Sequence, residues 1–295
     1  MDRFRRAAAA DLRRDLDDPE ALHRWSVEEP EEFWGLLFDT LMPGVERRGP
    51  ALVQRDGAAF GAGWFPDTTL NVAEVILGGN ADAGRAQEDA VMIVSVDERG
   101  RRREVTREQA RAEVAAIAAA LRADGVREGD RVAVWLPNTD VAMLVMLAAA
   151  SIGAVFSSTS PDFGVDGVLD RFTQIEPKVL VAADGYTYGG KDFDRRPQLA
   201  EIMGGLPSVT TTVVLGFLDP APDLAALEEF GHAVDFGAWV APHEGSEPYY
   251  ARLPFDHPWY VLFSSGTTGV PKCIVHRAGG VLLQHLKEHQ LHCDI

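Results

Sequence analysis

Trp259-Tyr260-Val261-Leu262-Phe263 leads directly into Ser264-Ser265-Gly266-Thr267-Thr268-Gly269-Val270-Pro271-Lys272. The aromatic and β-branched side chains of the first stretch predict a buried strand. In the second stretch, glycines permit positive φ, so backbone N–H groups can converge on an anion, while hydroxyls and one ammonium group add donors. We therefore predict a polyanion-binding loop after a strand. Its candidate phosphate ligands are Ser264, Ser265, Gly266, Thr267, Thr268, Gly269 and Lys272.

The loop differs from the phosphate loop of P-loop NTPases. That motif has four residues between its glycines and a serine or threonine after its lysine. Here two residues separate Gly266 from Gly269, and Cys273 follows Lys272. A simpler alternative is a Gly/Thr turn between two strands, because Ile274-Val275 can form a short return strand. The residues alone leave both interpretations open.

The whole string Ser-Ser-Gly-Thr-Thr-Gly-x-Pro-Lys, with His276 shortly after it, resembles the phosphate loop of the adenylate-forming enzymes. This family includes acyl-CoA synthetases, luciferases and peptide-synthetase adenylation domains. The resemblance implies that the loop orients the β- and γ-phosphates of ATP. His276 matches a histidine that lies near the acyl and adenylate site in the family, and we name it as the candidate catalytic residue. The alternative for His276 is a histidine at a strand end that bonds to the backbone.

Composition narrows the class of protein. The chain has 295 residues, of which 46% are hydrophobic and 25% are charged, as in soluble globular proteins. A net charge of −17 argues against nucleic acid or an anionic membrane as the main partner. Cys273 and Cys293 are too few for a disulfide framework or a structural zinc site. No apolar run approaches the roughly 18 residues of a membrane span, so we expect a cytoplasmic protein.

Strands and helices alternate from residue 90 onward. Thr106 and Gln109 have the spacing of a capping box, and an apolar stripe follows that ends near Gly125. Further helices are predicted over 138–150 and 165–174. Strands are predicted over 91–96, 131–136, 154–156, 178–182 and 209–215. This alternation predicts an α/β fold with layered, largely parallel sheets and crossover helices.

The amino-terminal part follows a different pattern. Ser26 and Glu29 also have capping-box spacing, and an amphipathic helix with Phe33, Leu37 and Leu41 on one face should follow. The segment 78–87 is rich in Gly, Ala, Asp and Asn and is the best linker candidate. We predict an extension over residues 1–85 and the first part of an adenylation domain over residues 86–295.

Longer strings narrow the resemblance to the acetoacetyl-CoA synthetases (acetoacetate–CoA ligases) within the acyl-CoA synthetases. They cover residues 157–165, 170–178, 184–191 and 274–283. The resemblance implies that ATP activates acetoacetate, or another short carboxylic acid, to an acyl-adenylate. Transfer to CoA follows, with Mg²⁺ as cofactor. Gly164 and Lys191 lie where relatives contact the CoA phosphates. The alternatives are a glycine that opens a helix and a solvated surface lysine.

Ligases of the resembled family are longer than this chain. We therefore expect an amino-terminal portion, truncated within its adenylation domain, that leaves apolar surface uncovered and available for association. A catalytically inactive nucleotide-binding fragment is one alternative function. A second is a zinc hydrolase, because His285, Glu288 and His289 satisfy the H-x-x-E-H pattern, with His292 on nearly the same helical face. ATP-dependent pyrophosphate release favours the ligase, and peptidase activity lost on chelation favours the hydrolase.

Overall fold

The structure is a computed structural model that describes residues 1–12, 16, 18–53, 62–78, 89–264 and 269–293. It forms two compact units. The first comprises Met1–Val75, Arg252–His257 and Arg277–Ile295, and the second comprises Ile76–Ala251 and Pro258–His276. The linker candidate after Gly78 and the predicted boundary between residues 85 and 86 lie outside the described residues. That boundary therefore stays a prediction.

Helices and strands are numbered in chain order. The α-helices are α1 Asp2–Leu12, α2 Pro19–Glu28, α3 Pro30–Leu41, α4 Val72–Gly78, α5 Arg107–Ala123, α6 Asp140–Ser151, α7 Val165–Ile175, α8 Arg196–Gly205, α9 Phe236–Val240 and α10 Ala278–Leu286. The strands are β1 Leu52–Val53, β2 Gly63–Trp64, β3 Thr69–Leu70, β4 Val91–Val96, β5 Arg102–Thr106, β6 Arg131–Trp135, β7 Val155–Thr159, β8 Val179–Ala183, β9 Gly185–Tyr188, β10 Lys191–Asp194, β11 Thr211–Leu215, β12 Ala233–Asp235, β13 Leu253–Pro254, β14 Pro258–Ser264 and β15 Lys272–Arg277. Short 3₁₀ turns cover Ala225–Leu227 and Ala241–His243, and a π-helix covers Lys287–Cys293.

Aromatic side chains form the core of the first unit. Phe38 and Phe65 are buried, with ring centroids 4.8 Å apart, and Phe255 lies 4.6 Å from Phe65. Trp25 meets Phe33 edge to face at 5.1 Å, and its indole N–H donates to Glu32 at 2.9 Å. Such pairs add to the free energy of burial, so the first unit has its own hydrophobic core.

A seven-stranded sheet forms the centre of the second unit, in the order β12-β11-β8-β6-β7-β14-β15. All neighbouring strands from β12 to β14 pair in parallel. The inner strand β8 is buried along its whole length, as expected for a parallel sheet covered on both faces. The predicted α/β class, with largely parallel strands and crossover helices, is confirmed.

Local signals for helix starts were right in one place and wrong in another. Thr106 and Gln109 form both bonds of a capping box at the start of α5. The corresponding prediction at Ser26 is wrong, because Ser26 lies inside α2 and donates to the carbonyl of His23 at 2.7 Å. Helix α2 instead continues to Glu28, Glu29 is not helical, and Pro30 is the first residue of α3.

Strand β14 is less buried than its sequence predicts. Trp259 and Val261 are buried, whereas Leu262 is 46% exposed. Beyond it, the edge strand β15 exposes Ile274 and Val275. Burial thus alternates in the first part of β14, whereas β15 is exposed at five of its six residues. The expectation of association through such surface stays a prediction. No helix in the described part of the chain has the length and apolar character to cross a membrane.

Candidate functional site

The two ends of the predicted phosphate loop lie on neighbouring strands. Ser264 is the half-buried last residue of β14, and the exposed Lys272 is the first residue of β15. Gly269 has φ +104°, in agreement with the expected need for positive φ there. Residues 265–268, which include four of the candidate ligands, lie outside the described residues. The structure thus defines the frame of the loop, and this frame is equally compatible with the alternative of a turn between strands.

The loop leaves the sheet at its carboxyl edge. Strand β14 pairs in parallel with β7, with Tyr260 opposite Phe156 and Val261 opposite Ser157. The buried Ser157 hydroxyl also donates to the carbonyl of Val261 at 2.9 Å. In open α/β sheets, ligands bind in crevices outside the carboxyl ends of the strands. Ser264 therefore lies at the edge where a ligand is expected.

His276 stacks on an aromatic ring of the neighbouring strand. Its imidazole centroid lies 4.8 Å from that of Tyr260, with 29° between the planes. Burial raises the pKa of the Tyr260 phenol. No hydrogen bond of the imidazole occurs within the described residues, so the backbone-bonded alternative gains no support, and the catalytic role stays a prediction.

Helix α7 contacts the residues at both ends of the loop. Its apolar face, Val168, Phe172 and Ile175, is buried in the core of the second unit. On the adjoining face, Gln174 donates to the carbonyl of Pro271 at 2.9 Å and accepts from the Cys273 thiol at 3.4 Å. One turn earlier, the guanidinium carbon of Arg171 lies 6.0 Å from the ring of Phe263, the residue before Ser264.

A cleft of about 570 Å³, which we call the Arg171 cleft, opens at the carboxyl ends of β6, β7 and β14. Arg171 is the only charged residue among the described residues that line it. Its other polar lining residues are Asn138, Ser158, Thr159 and Ser160. Thr159 is 9% exposed, and its hydroxyl oxygen is buried without a hydrogen-bond partner among the described residues. A mostly apolar cleft with a few converging polar groups is typical of a small-molecule site.

A second cleft of about 580 Å³, which we call the charged cleft, is lined by the β4–β5 hairpin and by residues that follow β6, β7 and β11. Three consecutive arginines line it, and each has a carboxylate partner. Arg101 pairs with Asp97, Arg102 pairs with Glu104, and Arg103 pairs with Asp140 and with Glu113 at 2.6 Å.

The ion pairs of Arg103 favour its charged form. Burial lowers the pKa of Arg103, but Glu113 and Asp140 outweigh that effect and raise it overall. Asp140 itself is buried, at 7% exposure, near the start of α6. Each guanidinium of this cleft therefore has a carboxylate beside it, whose negative charge offsets the attraction between the arginine and a further anion.

A buried carboxylate shapes one wall of the charged cleft. Asp184 is 3% exposed and accepts from the backbone N–H groups of Phe217, Leu218 and Asp219 at 2.8 to 2.9 Å. A carboxylate that accepts several backbone N–H bonds fixes the loop that supplies them. Because Phe217 lines the cleft, Asp184 positions that wall.

The two candidate CoA contacts lie on different elements. Gly164 is the residue before α7 and has extended backbone angles, φ −68° and ψ 172°. Lys191 is exposed at the start of β10, directly after a tight turn in which Gly189 and Gly190 have positive φ. The helix-opening alternative for Gly164 and the surface alternative for Lys191 both agree with these positions, and the CoA role of both residues stays a prediction.

The zinc hydrolase alternative gains no support. His285 lies in the last turn of α10, whereas Glu288, His289 and His292 lie in the π-helix. A π-helix has a wider turn than an α-helix, so the assumed shared face of the histidines does not hold. The imidazole centroids of His285 and His289 are 6.1 Å apart. Within the described residues, no three His, Cys, Asp or Glu side chains form a group that can hold a metal ion.

Sequence reasoning missed the position of Arg171. The residue belongs to one of the quoted family strings, but nothing local distinguishes it from the other arginines of the chain. Its ring contacts come from Phe163 and Phe263, which are 100 residues apart in the sequence. Only the fold brings these residues together.

The chain is similar in sequence to a family model and to known proteins. A family model described as AMP-binding enzyme matches residues 81–293. The chain is 41% identical to the acetoacetyl-CoA synthetase of Macaca fascicularis over 99% of this chain and 43% of that protein. It is 42% identical to the acetoacetyl-coenzyme A synthetase of Rhizobium meliloti (strain 1021) over 96% of this chain and 42% of that protein.

A solved structure is similar over the same range. The acetoacetyl-CoA synthetase from Streptomyces lividans matches with a TM-score of 0.87 and 42% identity, over 99% of this chain and 43% of that one. The chain thus spans less than half the length of these relatives. Since the family model covers most of the chain, the chain belongs to the family of AMP-binding enzymes.

Proposed function

We propose that this chain contributes the nucleotide phosphate site of an acid–thiol ligase that activates acetoacetate with ATP and transfers it to CoA. The observation that carries the proposal is the position of Ser264 and Lys272. They lie at the carboxyl end of β14 and the start of the neighbouring β15, where the loop resembles a family phosphate loop. The similarity to acetoacetyl-CoA synthetases supports the choice of acid and thiol.

The chemistry requires control of negative charge. A carboxylate must approach the α-phosphate of ATP, form a mixed anhydride with AMP and release pyrophosphate. The CoA thiol then displaces AMP. The Lys272 ammonium and the Ser264 hydroxyl would hold the terminal phosphates and offset the repulsion between the two anions. His276, stacked on Tyr260, would lie next to the acyl end.

Mg²⁺ would neutralise part of the phosphate charge when it is bound with the nucleotide. Such an ion takes one or two carboxylates together with phosphate oxygens, so it does not need a ligand cage made only of protein. The described ends of the loop, Ser264 and residues 269–272, supply a hydroxyl oxygen but no carboxylate, so we assign no residue of the chain as a ligand of the ion. The cytoplasmic location remains a prediction.

The four lysines of the chain provide a test with matched controls. Isothermal titration of the chain with MgATP and with CoA compares Lys272→Ala, Lys191→Ala and Lys287→Ala. Loss of an ammonium that bonds to phosphate should weaken ATP binding by roughly tenfold or more in Lys272→Ala. Lys191→Ala should affect CoA alone. Lys287, which lies 5.5 Å from the Trp34 ring, is the control that should change neither affinity.

Acid-dependent exchange of labelled pyrophosphate into ATP tests the reaction. It is measured on the chain and on the chain extended past Ile295 by the corresponding part of the Streptomyces lividans relative. Acetate, propionate and acetoacetate are compared. We expect exchange in the extended protein, fastest with acetoacetate. Exchange with none of the acids, together with unchanged ATP affinity in Lys272→Ala, would refute the proposal.

A further inference from the structure

The guanidinium of Arg171 bonds to a backbone carbonyl and to no carboxylate of the described residues. Its Nη1 donates to the carbonyl of Gly167 at 2.6 Å. By contrast, Arg101, Arg102 and Arg103 of the charged cleft all pair with carboxylates. Arg171 therefore keeps donors available for an anion.

Two aromatic rings fix the guanidinium in place. Its carbon lies 4.3 Å from the ring of Phe163 and 6.0 Å from the ring of Phe263. Gly167 makes the closer contact possible, because a Cβ at this position would lie only 3.0 Å from the Phe163 ring. A planar guanidinium stacked on rings loses little freedom on binding. Arg171 is thus positioned before any ligand arrives.

The surroundings of Arg171 suit an anion. The described residues that line the cleft include no carboxylate, and Ser158 and Thr159 bring hydroxyl groups. The Ser160 hydroxyl already donates to Asp162 at 3.0 Å, so it is not counted among the donors for an anion. The Thr159 hydroxyl is buried and has no partner within the described part of the chain. An arginine with hydroxyls in a cleft without acids matches the donor set that binds phosphate.

We propose that the Arg171 cleft is a phosphate subsite, with Arg171 as its binding cation. The inference rests on the proposed function and assigns a second cationic residue, besides Lys272, to the phosphates of the substrates. Arg171 lies beside Phe263, at the start of the loop, and Gln174 on the same helix bonds to Pro271 at its end. This position favours the pyrophosphate part of ATP. The phosphates of CoA share the same chemistry and are the second source.

Titration of the purified chain with inorganic pyrophosphate and, separately, with CoA distinguishes these sources. The variants are Arg171→Gln, Arg171→Lys and the control Arg122→Gln. Arg122 also lies over an aromatic ring, 4.8 Å from that of Tyr249, but in a different cleft. Loss of a charge-assisted contact should weaken pyrophosphate binding by about tenfold or more in Arg171→Gln. Arg171→Lys should keep part of the affinity, and Arg122→Gln should keep all of it.

Each outcome decides the proposal. A loss for pyrophosphate supports the ATP source, and a loss for CoA alone supports the same subsite with CoA as its ligand. Wild-type binding that neither Arg171 variant weakens overturns the subsite and leaves the proposed function intact. A wild-type chain that binds neither ligand contradicts both. Urea unfolding checks the fold of each variant, and if Arg171→Gln does not fold, Arg171→Lys decides through its affinity relative to wild type.

Discussion

Two clefts at the same edge of one sheet have similar volumes, about 570 and 580 Å³, but they differ in whether their arginines are paired with carboxylates. The charged cleft has three arginines, and all of them are neutralised by carboxylates. The Arg171 cleft has one arginine and no acidic lining residue within the described chain. The number of cations is therefore a poor guide to an anion site. What matters is whether a cation still has donors that no carboxylate occupies.

The comparison also separates two uses of charge. In the charged cleft, ion pairs and the Asp184 carboxylate hold loops in place. In the Arg171 cleft, aromatic rings and a backbone carbonyl hold the cation. Mutations in the first cleft should mainly change the free energy of unfolding, and mutations in the second should mainly change ligand affinity.

Asp184→Ala should give the largest effect. The change removes the acceptor of three partly buried backbone N–H groups, so we expect a loss of about 2–4 kcal/mol in the free energy of unfolding. Urea denaturation of wild type and variant measures it. Asp223→Ala is the matched control, because Asp223 is exposed and, within the described part of the chain, accepts from one backbone N–H, that of Ala225. A loss as small as that of the control would mean that Asp184 does not hold the wall of the charged cleft.

Gly167→Ala should have a smaller effect of a different kind. The new Cβ would press on the Phe163 ring and disturb the stack on Arg171. We expect pyrophosphate affinity to fall about threefold, while stability stays level or rises by up to about 1 kcal/mol through helix propensity. Gly280→Ala is the control, since a Cβ there meets no atom of the described residues within 4 Å. Unchanged affinity in Gly167→Ala would show that the position of Phe163 does not matter for binding.

The smallest expected effect is a pH dependence of the free energy of unfolding that arises in the charged cleft. Burial raises the pKa of Asp97, but hydrogen bonds from the Arg101 side chain and from the backbone of Arg101 and Arg99 outweigh it and lower the pKa overall. Its contribution to stability should be complete above the ordinary value of 3.8 and should be lost as the pH falls through the lower folded-state value.

Denaturation of wild type and Asp97→Asn across this pH range measures that contribution. The difference between their free energies of unfolding should vanish in strong acid. A difference that persists there would assign the stability to packing and not to the charge of Asp97.

The sequence predicted the regular part of the fold well, because local signals and burial agree there. Thr106 and Gln109 mark the start of α5, and the apolar runs coincide with the inner strands. Ser26 failed because the same spacing occurs inside a helix, where the hydroxyl bonds back to the preceding turn. The exposure of Leu262 and Ile274 was not visible in the sequence either, since it depends on what covers the sheet edge.

The candidate site was predictable only where it is continuous in the chain. Ser264, Gly269 and Lys272 follow from one motif. The stack of Tyr260 on His276 and the contacts of Arg171 depend on strand order and on the docking of α7, which no local pattern specifies. A guanidinium also pairs with whatever carboxylate the fold brings near it. Its availability is therefore a property of the tertiary structure.

A crystal structure of the chain with bound pyrophosphate tests the central claim most directly. We predict phosphate density within hydrogen-bond distance of the Arg171 guanidinium and the Lys272 ammonium. Density beside Arg101, Arg102 and Arg103 in the charged cleft, with the Arg171 cleft empty, would contradict the account.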